Sequence, residues 1–258
     1  MFPTFLCIWS KDLRAEFFTW KSLVWLLVTA LIFSVTSYLL LTDRELSLLD
    51  QTEMLWLFSK IIISAALLVV VIDASSLITS EFEYETIEDL FLTPMSLKDF
   101  LLGKLAASFT LWALVYLVAV PYVIVTSAGS GLAGAFLGYL ALYSSLAVVG
   151  FTMLVLGVSF FFRSLRNTLT LSFTVLLALA IPALFSSSVR HSLLVRTLAN
   201  VNPLDNIFAS LDNVLVDYQL TLSRNLAFIL PLIGFCVVAL LVLLLSIRVF
   251  RSRGIIKD

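Results

Sequence analysis

Six apolar runs, at about 23–41, 54–79, 100–126, 132–161, 169–188 and 225–248, leave this 258-residue chain little choice of fold. Each approaches or exceeds the roughly 20 residues a helix needs to cross a ~30 Å hydrocarbon core. In hydrocarbon, backbone N–H and C=O groups are satisfied only within helices or closed barrels, and continuous apolar runs of this length fit helices. A mean hydropathy of +1.08 and 61% hydrophobic residues, against about one half in soluble domains, agree. The expected fold is all-α: one polytopic membrane domain over 1–258, with six transmembrane helices.

Charge orients those spans. With the N-terminus inside, the cytoplasmic bases are Lys11, Arg14, Lys21, Lys98, Lys104, Arg163, Arg166, Arg248, Arg251, Arg253 and Lys257. Arg44, Lys60, Arg190, Arg196 and Arg224 stay outside. This excess of inner bases expects both termini in the cytoplasm. Residues 1–22 precede the first span; Phe5, Leu6, Trp9, Leu13, Phe17 and Trp20 gather on one side with charges elsewhere, the pattern of an in-plane interfacial helix. No small-residue cleavage site follows, so a removable signal is not expected.

One long charged island separates the second and third runs. Between Ser80 and Asp99 six acids (Glu81, Glu83, Glu85, Glu88, Asp89, Asp99) face one base, Lys98, which invites a basic partner. Glu81, Glu85 and Glu88 share a helical face while Phe82, Ile87, Leu90 and Phe91 gather toward others, so residues 81–92 are expected as a short amphipathic helix. Pro94 removes a donor and pushes Thr93 out of helical geometry, ending it. Ser96-x-x-Asp99 then fits a capping box that opens the next span.

A span end, a Glu, then Thr86-Ile87-Glu88-x-Leu90-x-x-Thr93-Pro94-Met95-Ser96 and Gly103-Lys104 opening the next span resembles the cytoplasmic loop of type-2 ATP-binding-cassette exporter permeases. Glu81, Thr86, Glu88, Leu90, Thr93, Pro94, Gly103 and Lys104 match the pattern. The family usually shows Arg after the first Glu and Gly before the Thr, where this chain has Phe82 and Glu85. The resemblance makes 80–99 the loop of a coupling helix that docks on a separate ATPase subunit through Glu81, Phe82, Glu85, Thr86, Ile87, Glu88, Leu90, Phe91, Thr93 and Pro94. It also implies a second permease copy or sister permease, with ATP and Mg bound in the partner ATPase and no cofactor in this chain.

The segment 189–224 is expected outside as a helical loop. Asn202-Pro203-Leu204-Asp205 is a helix start, with Asn as cap and Pro in the first turn where no donor is missed. Leu204, Phe208, Leu211, Leu215 and Tyr218 then recur on one face. An Asn-Pro-Leu segment before the last span is again similar to the family. Gly134 and Gly138 form a small-xxx-small step that admits close helix approach.

Chemistry of its own is not expected. Gly103-Lys104 lacks the upstream glycine and the hydroxyl residue of a phosphate loop, and one histidine with two cysteines builds neither metal site nor disulfide framework. No Arg-aromatic patch suggests nucleic acid. Ionisable residues inside spans are the place to look for transport chemistry, and only Lys60 and Asp73, both on the second span, are expected there, Lys60 near the outer end where it snorkels. Lys60, Ser64, Ser75 and Thr79 on that span, with Thr170 and Thr174 on the fifth, are candidates to line a translocation path. The alternative is that the hydroxyls bond back to their own helix. The reading is thus a permease subunit, with a secondary carrier or channel, or a haem-exporter-like assembly component, as the other classes.

Overall fold

The computed structural model describes residues 4–17, 20–42, 51–86, 96–128, 131–184, 200–217 and 222–252. Among them all regular structure is helical: α1 (Thr4–Phe17), α2 (Trp20–Thr42), α3 (Gln51–Glu83), α4 (Leu97–Thr126), α5 (Ala133–Phe162), α6 (Leu165–Ala180), α7 (Pro203–Leu215) and α8 (Leu222–Ser252). Five segments are long and apolar enough to cross a membrane: Ser22–Thr42, Gln51–Glu83, Leu97–Thr126, Ala133–Phe162 and Asn225–Phe250. The fifth expected span is shorter. α6 has 16 residues and passes into a 3-10 turn, Ile181–Leu184, that contains Pro182; residues 185–188 of the expected run lie outside the described residues.

α3 is the hub, packing against α2, α4, α5, α6 and α7. Some 67% of its most apolar window is buried, against 22% for α2 and 17% for α8, which therefore present most of their apolar surface outward. Exposed Leu27, Leu230 and Leu245 would be a liability in water, but lipid tails solvate them as well as a core does. Cohesion between such helices comes from close packing and interhelical hydrogen bonds. The α5–α8 contact shows this: a Cβ on Gly157 would sit 3.0 Å from the Leu243 Cα, and one on Gly150 2.7 Å from the Phe235 ring. Gly134 and Gly138 have nothing within 4 Å, so their small-residue step meets no helix of this chain among the described residues.

Local rules explain several boundaries. Ser96 caps α4: its Oγ accepts from the Asp99 N–H at 3.1 Å, the N-cap half of the expected capping box, and donates to Asp99 Oδ2 at 2.8 Å. Asn202 caps α7, its Oδ1 accepting from the Leu204 N–H at 3.0 Å, with Pro203 first in the helix. Its Nδ2 also donates to the Leu179 carbonyl at 2.6 Å, tying α7 to the end of α6.

Two boundaries differ from expectation. Of the segment 1–22, α1 covers Thr4–Phe17 and Trp20 belongs to the long apolar helix α2, with residues 18 and 19 outside the described residues. Likewise Glu81, Phe82 and Glu83 are not the start of a separate short helix. They are the last residues of α3, whose 33 residues extend about 50 Å at 1.5 Å per residue, well beyond a hydrocarbon core. The remainder of the expected coupling helix, with Ile87, Glu88, Leu90 and Phe91, lies outside the described residues, as do the docking candidates Thr93 and Pro94 beyond it.

Candidate functional site

The end of α3 carries two acids, Glu81 and Glu83, and no base in its last turn. Carboxylates there face the negative end of the helix dipole and need cations or donors from elsewhere. The fold supplies both, from different directions.

Glu81 is 6% exposed and its Oε1 lies 2.7 Å from Lys104 Nζ, which is 1% exposed. The same Nζ contacts Asp12 Oδ1 at 3.1 Å, and Lys11 Nζ reaches Glu81 Oε1 at 3.3 Å. One buried ammonium thus joins α1, α3 and α4. It also lies 5.2 Å from the centre of the Phe100 ring, one turn earlier on α4. Asp12 Oδ2 and Glu81 Oε2 are buried without a hydrogen bond among the described residues. Burial pushes the Asp12 carboxyl above its ordinary value, and the charge and hydrogen bond of Lys104 work against that push. Beside the cluster opens a cavity of about 390 Å³ lined by Lys11, Asp12, Trp25, Asp73, Ser76, Glu81, Tyr84 and Lys104 among others.

α1 reaches Lys104 because the residue before it is glycine. A Cβ on Gly103 would lie 2.8 Å from Ile8 Cγ2 and 2.9 Å from Ile8 Cβ, so only glycine lets α1 lie this close to α4. Trp9 Nε1 donates to Thr110 Oγ1 at 3.1 Å two turns further on. Gly103 and Lys104 therefore act together, one admitting the helix and the other holding its carboxylate.

Glu83 turns the other way. Its Oε1 accepts the Leu165 N–H at 3.1 Å, one of the orphan donors at the start of α6. Phe82 joins Phe160 and Phe250 in an edge-to-face cluster, and the Arg163 guanidinium lies 5.7 Å from the Phe82 ring and 5.1 Å from that of Phe250. Tyr84 and Glu85 close α3 in a turn in which Glu85 adopts φ 57°. That is left-handed geometry, which glycine occupies without penalty.

Toward the opposite end of α3, Lys60 is half-buried and lies against aromatic rings. Its Nζ lies 3.2 Å above the Trp56 ring and 5.8 Å from that of Phe208, while Trp56 Nε1 donates to the Phe208 carbonyl at 3.0 Å. Burial pushes the Asp212 carboxyl up, Asp217 and Glu53 add to this, and Lys60 opposes it. Ser210 bonds to the Tyr143 hydroxyl and, at 3.4 Å, to Asn225 Oδ1, pinning α7 to α5 and α8.

The six path candidates do not share one surface. Ser75 and Thr79 are fully buried and donate to the carbonyls of Val71 and Ser75 in their own helix. Ser64 is exposed on α3. Thr170 and Thr174 are exposed on α6 and donate to Arg166 and Thr170 at 2.8 and 2.7 Å. Of the docking candidates, Glu81 is interior, Phe82 is half-buried, and Glu85 and Thr86 are exposed. Lys104, the most consequential charge, was legible only as a motif residue: it sits inside the third apolar run but near its edge, where a base reads as a surface charge.

Among the described residues no three His, Cys, Asp or Glu side chains are placed to hold a metal. What the cluster offers is buried charge that joins helices. Fold and site together define a helical protein with the build of a multi-pass membrane protein. No protein-family model matches the chain, and no curated protein matches it.

Proposed function

We propose that the chain is the permease subunit of a type-2 ATP-binding-cassette exporter. In this reading six spans per copy, with α6 and its continuation as the fifth, pair with a second copy or a sister permease in the inner (plasma) membrane. Both termini and the 80–99 island face the cytoplasm, where two separate ATPase subunits bind ATP and Mg. Closure of the ATPases pushes on the coupling segment and switches the helix bundle between inward and outward access.

The observation that carries the reading is the meeting of Glu81 with Lys104, 23 residues apart and 2.7 Å from each other. Both are positions on which the family resemblance rests, and Gly103, a third, opens the space that α1 occupies. Their pairing gives the motif a physical purpose: it fixes the roots of the loop between α3 and α4, so that a push on the loop reaches both helices. Lys11, Lys104, Arg163, Arg166 and Arg248 all lie on the side assigned to the cytoplasm.

The test is purification of the chain, tagged at its C-terminus, from its native membrane in mild detergent. A cassette ATPase should come with it, and the pair in nanodiscs should hydrolyse ATP in a vanadate-sensitive manner. Transport driven by an ion gradient without nucleotide would favour a secondary carrier and overturn the reading.

A further inference from the structure

We propose that Glu83 is a positioning residue that carries movement of the acidic island to α6, and with it Thr170 and Thr174. This rests on the transport reading above and adds a second route of coupling, distinct from the direct connection of the island to α3 and α4.

α6 begins without a cap of its own. Ser164 occupies the capping position in extended geometry, but its side chain makes no capping hydrogen bond, and no acid lies in the first turn. The missing acceptor comes from α3, where Glu83 Oε1 takes the Leu165 N–H at 3.1 Å across 82 residues of sequence. A carboxylate at this point also meets the positive end of the α6 dipole. The second contact is independent of the first. Arg163, the left-handed residue (φ 53°) that ends α5, directs its guanidinium at the ring of Phe82, the neighbour of Glu83. The last two residues of α3 therefore hold both sides of the α5–α6 turn, one by a ring and one by a carboxylate.

Position in the chain makes this grip useful. Residue 84 begins the turn that leaves α3, so the island pulls directly on residues 82 and 83. α6 packs chiefly on α3 and α5 and exposes Leu171, Phe173 and Leu177, whereas α5 is locked to α8 through Gly150 and Gly157. Of the helices at this turn α6 is the less restrained, and a pull through Glu83 moves it along α3 as small shear displacements do in packed helices.

The experiment uses the full chain in nanodiscs with its co-purified ATPase, Cys7 and Cys236 replaced by Ser. Spin labels at Asn167 on α6 and Ser252 on α8 report α6 movement, and labels at Tyr84 and Asn167 report the grip. In the otherwise wild-type chain, Mg-ATP with vanadate should shift the 167–252 distance and leave the 84–167 distance narrow. Glu83→Ala should still bind the ATPase and hydrolyse ATP, yet lose about half or more of the 167–252 shift and broaden the 84–167 distribution. Glu83→Gln keeps an acceptor and should retain most of both. A normal nucleotide-driven shift in Glu83→Ala, or an unchanged 84–167 distribution even without ATPase, overturns the proposal. Absence of any ATPase from the wild-type preparation is the separate failure of the transport reading.

Discussion

Glu81 and Lys104 form the shortest contact of a buried charge cluster, 2.7 Å between Oε1 and Nζ, with Lys104 also holding Asp12 at 3.1 Å. Removing the cation strands the buried Asp12 carboxylate and leaves Glu81 only its contact with Lys11 at 3.3 Å, whereas removing charge from both sides does not. Lys104→Met should therefore destabilise the chain by ~3–5 kcal/mol, and the triple change with Glu81→Gln and Asp12→Asn should recover much of that loss. Denaturant titration in detergent measures it. Equal stability of the single and triple variants would show that the cluster holds nothing.

Gly103 is the second prediction. An added methyl meets the β-branched carbon of Ile8, which has no flexible tip to swing away. Gly103→Ala should cost about 1–3 kcal/mol by overpacking and loosen α1, and Ile8→Ala in the same chain should not restore it, because the Cβ that the new methyl meets at 2.9 Å stays. Protease or hydrogen-exchange protection of residues 4–17 reads the detachment directly.

Glu85 carries the third. At φ 57° a residue with a Cβ is strained, and the family the chain resembles usually has glycine at this point. Glu85→Gly should raise stability by about 1 kcal/mol, against a loss where glycine enters ordinary helix. An unfolding midpoint that falls would contradict this account of the turn.

The cluster also makes α1 docking pH-dependent. Burial raises the Asp12 carboxyl above its ordinary value of 3.8, so between that value and its raised one the folded state binds more protons than the unfolded. Stability contributed by this group is greatest below the window and declines as pH rises through it. Asp12→Asn should remove that dependence. A pH profile of unfolding that keeps the same slope in Asp12→Asn would place the titration elsewhere.

Much of the fold is written locally, and much of the site is not. Long apolar runs are enough to place five membrane-length helices, because each satisfies its own backbone, and Ser96 and Asn202 cap the helices expected of them. The sequence pattern ends α3 too early because Glu81 and Glu83 look like the start of a polar helix. Their partners, Lys104 and the Leu165 N–H, lie 23 and 82 residues away and only folding reveals them. Spacing likewise singled out Gly134 and Gly138, which meet no neighbour here, while Gly150 and Gly157 make the close α5–α8 contact. Periodicity names small residues on a face without saying what that face meets. Ser75 and Thr79 fell to the same ambiguity, since a hydroxyl on a helix serves a path or its own backbone equally well in sequence.

The central claim is that the island beyond α3 docks on an ATPase while α7 lies on the other side of the membrane. A photo-crosslinking residue at Phe91 tests it in native membranes, with one at Asp217, exposed after α7, as its counterpart. Phe91 should be the apolar anchor of the docking face, as buried aromatic groups are in other interfaces. The account predicts a ultraviolet-dependent adduct between this chain and a nucleotide-binding subunit from position 91 and none from position 217. No nucleotide-binding adduct from 91, or the same adduct from 217, would contradict it.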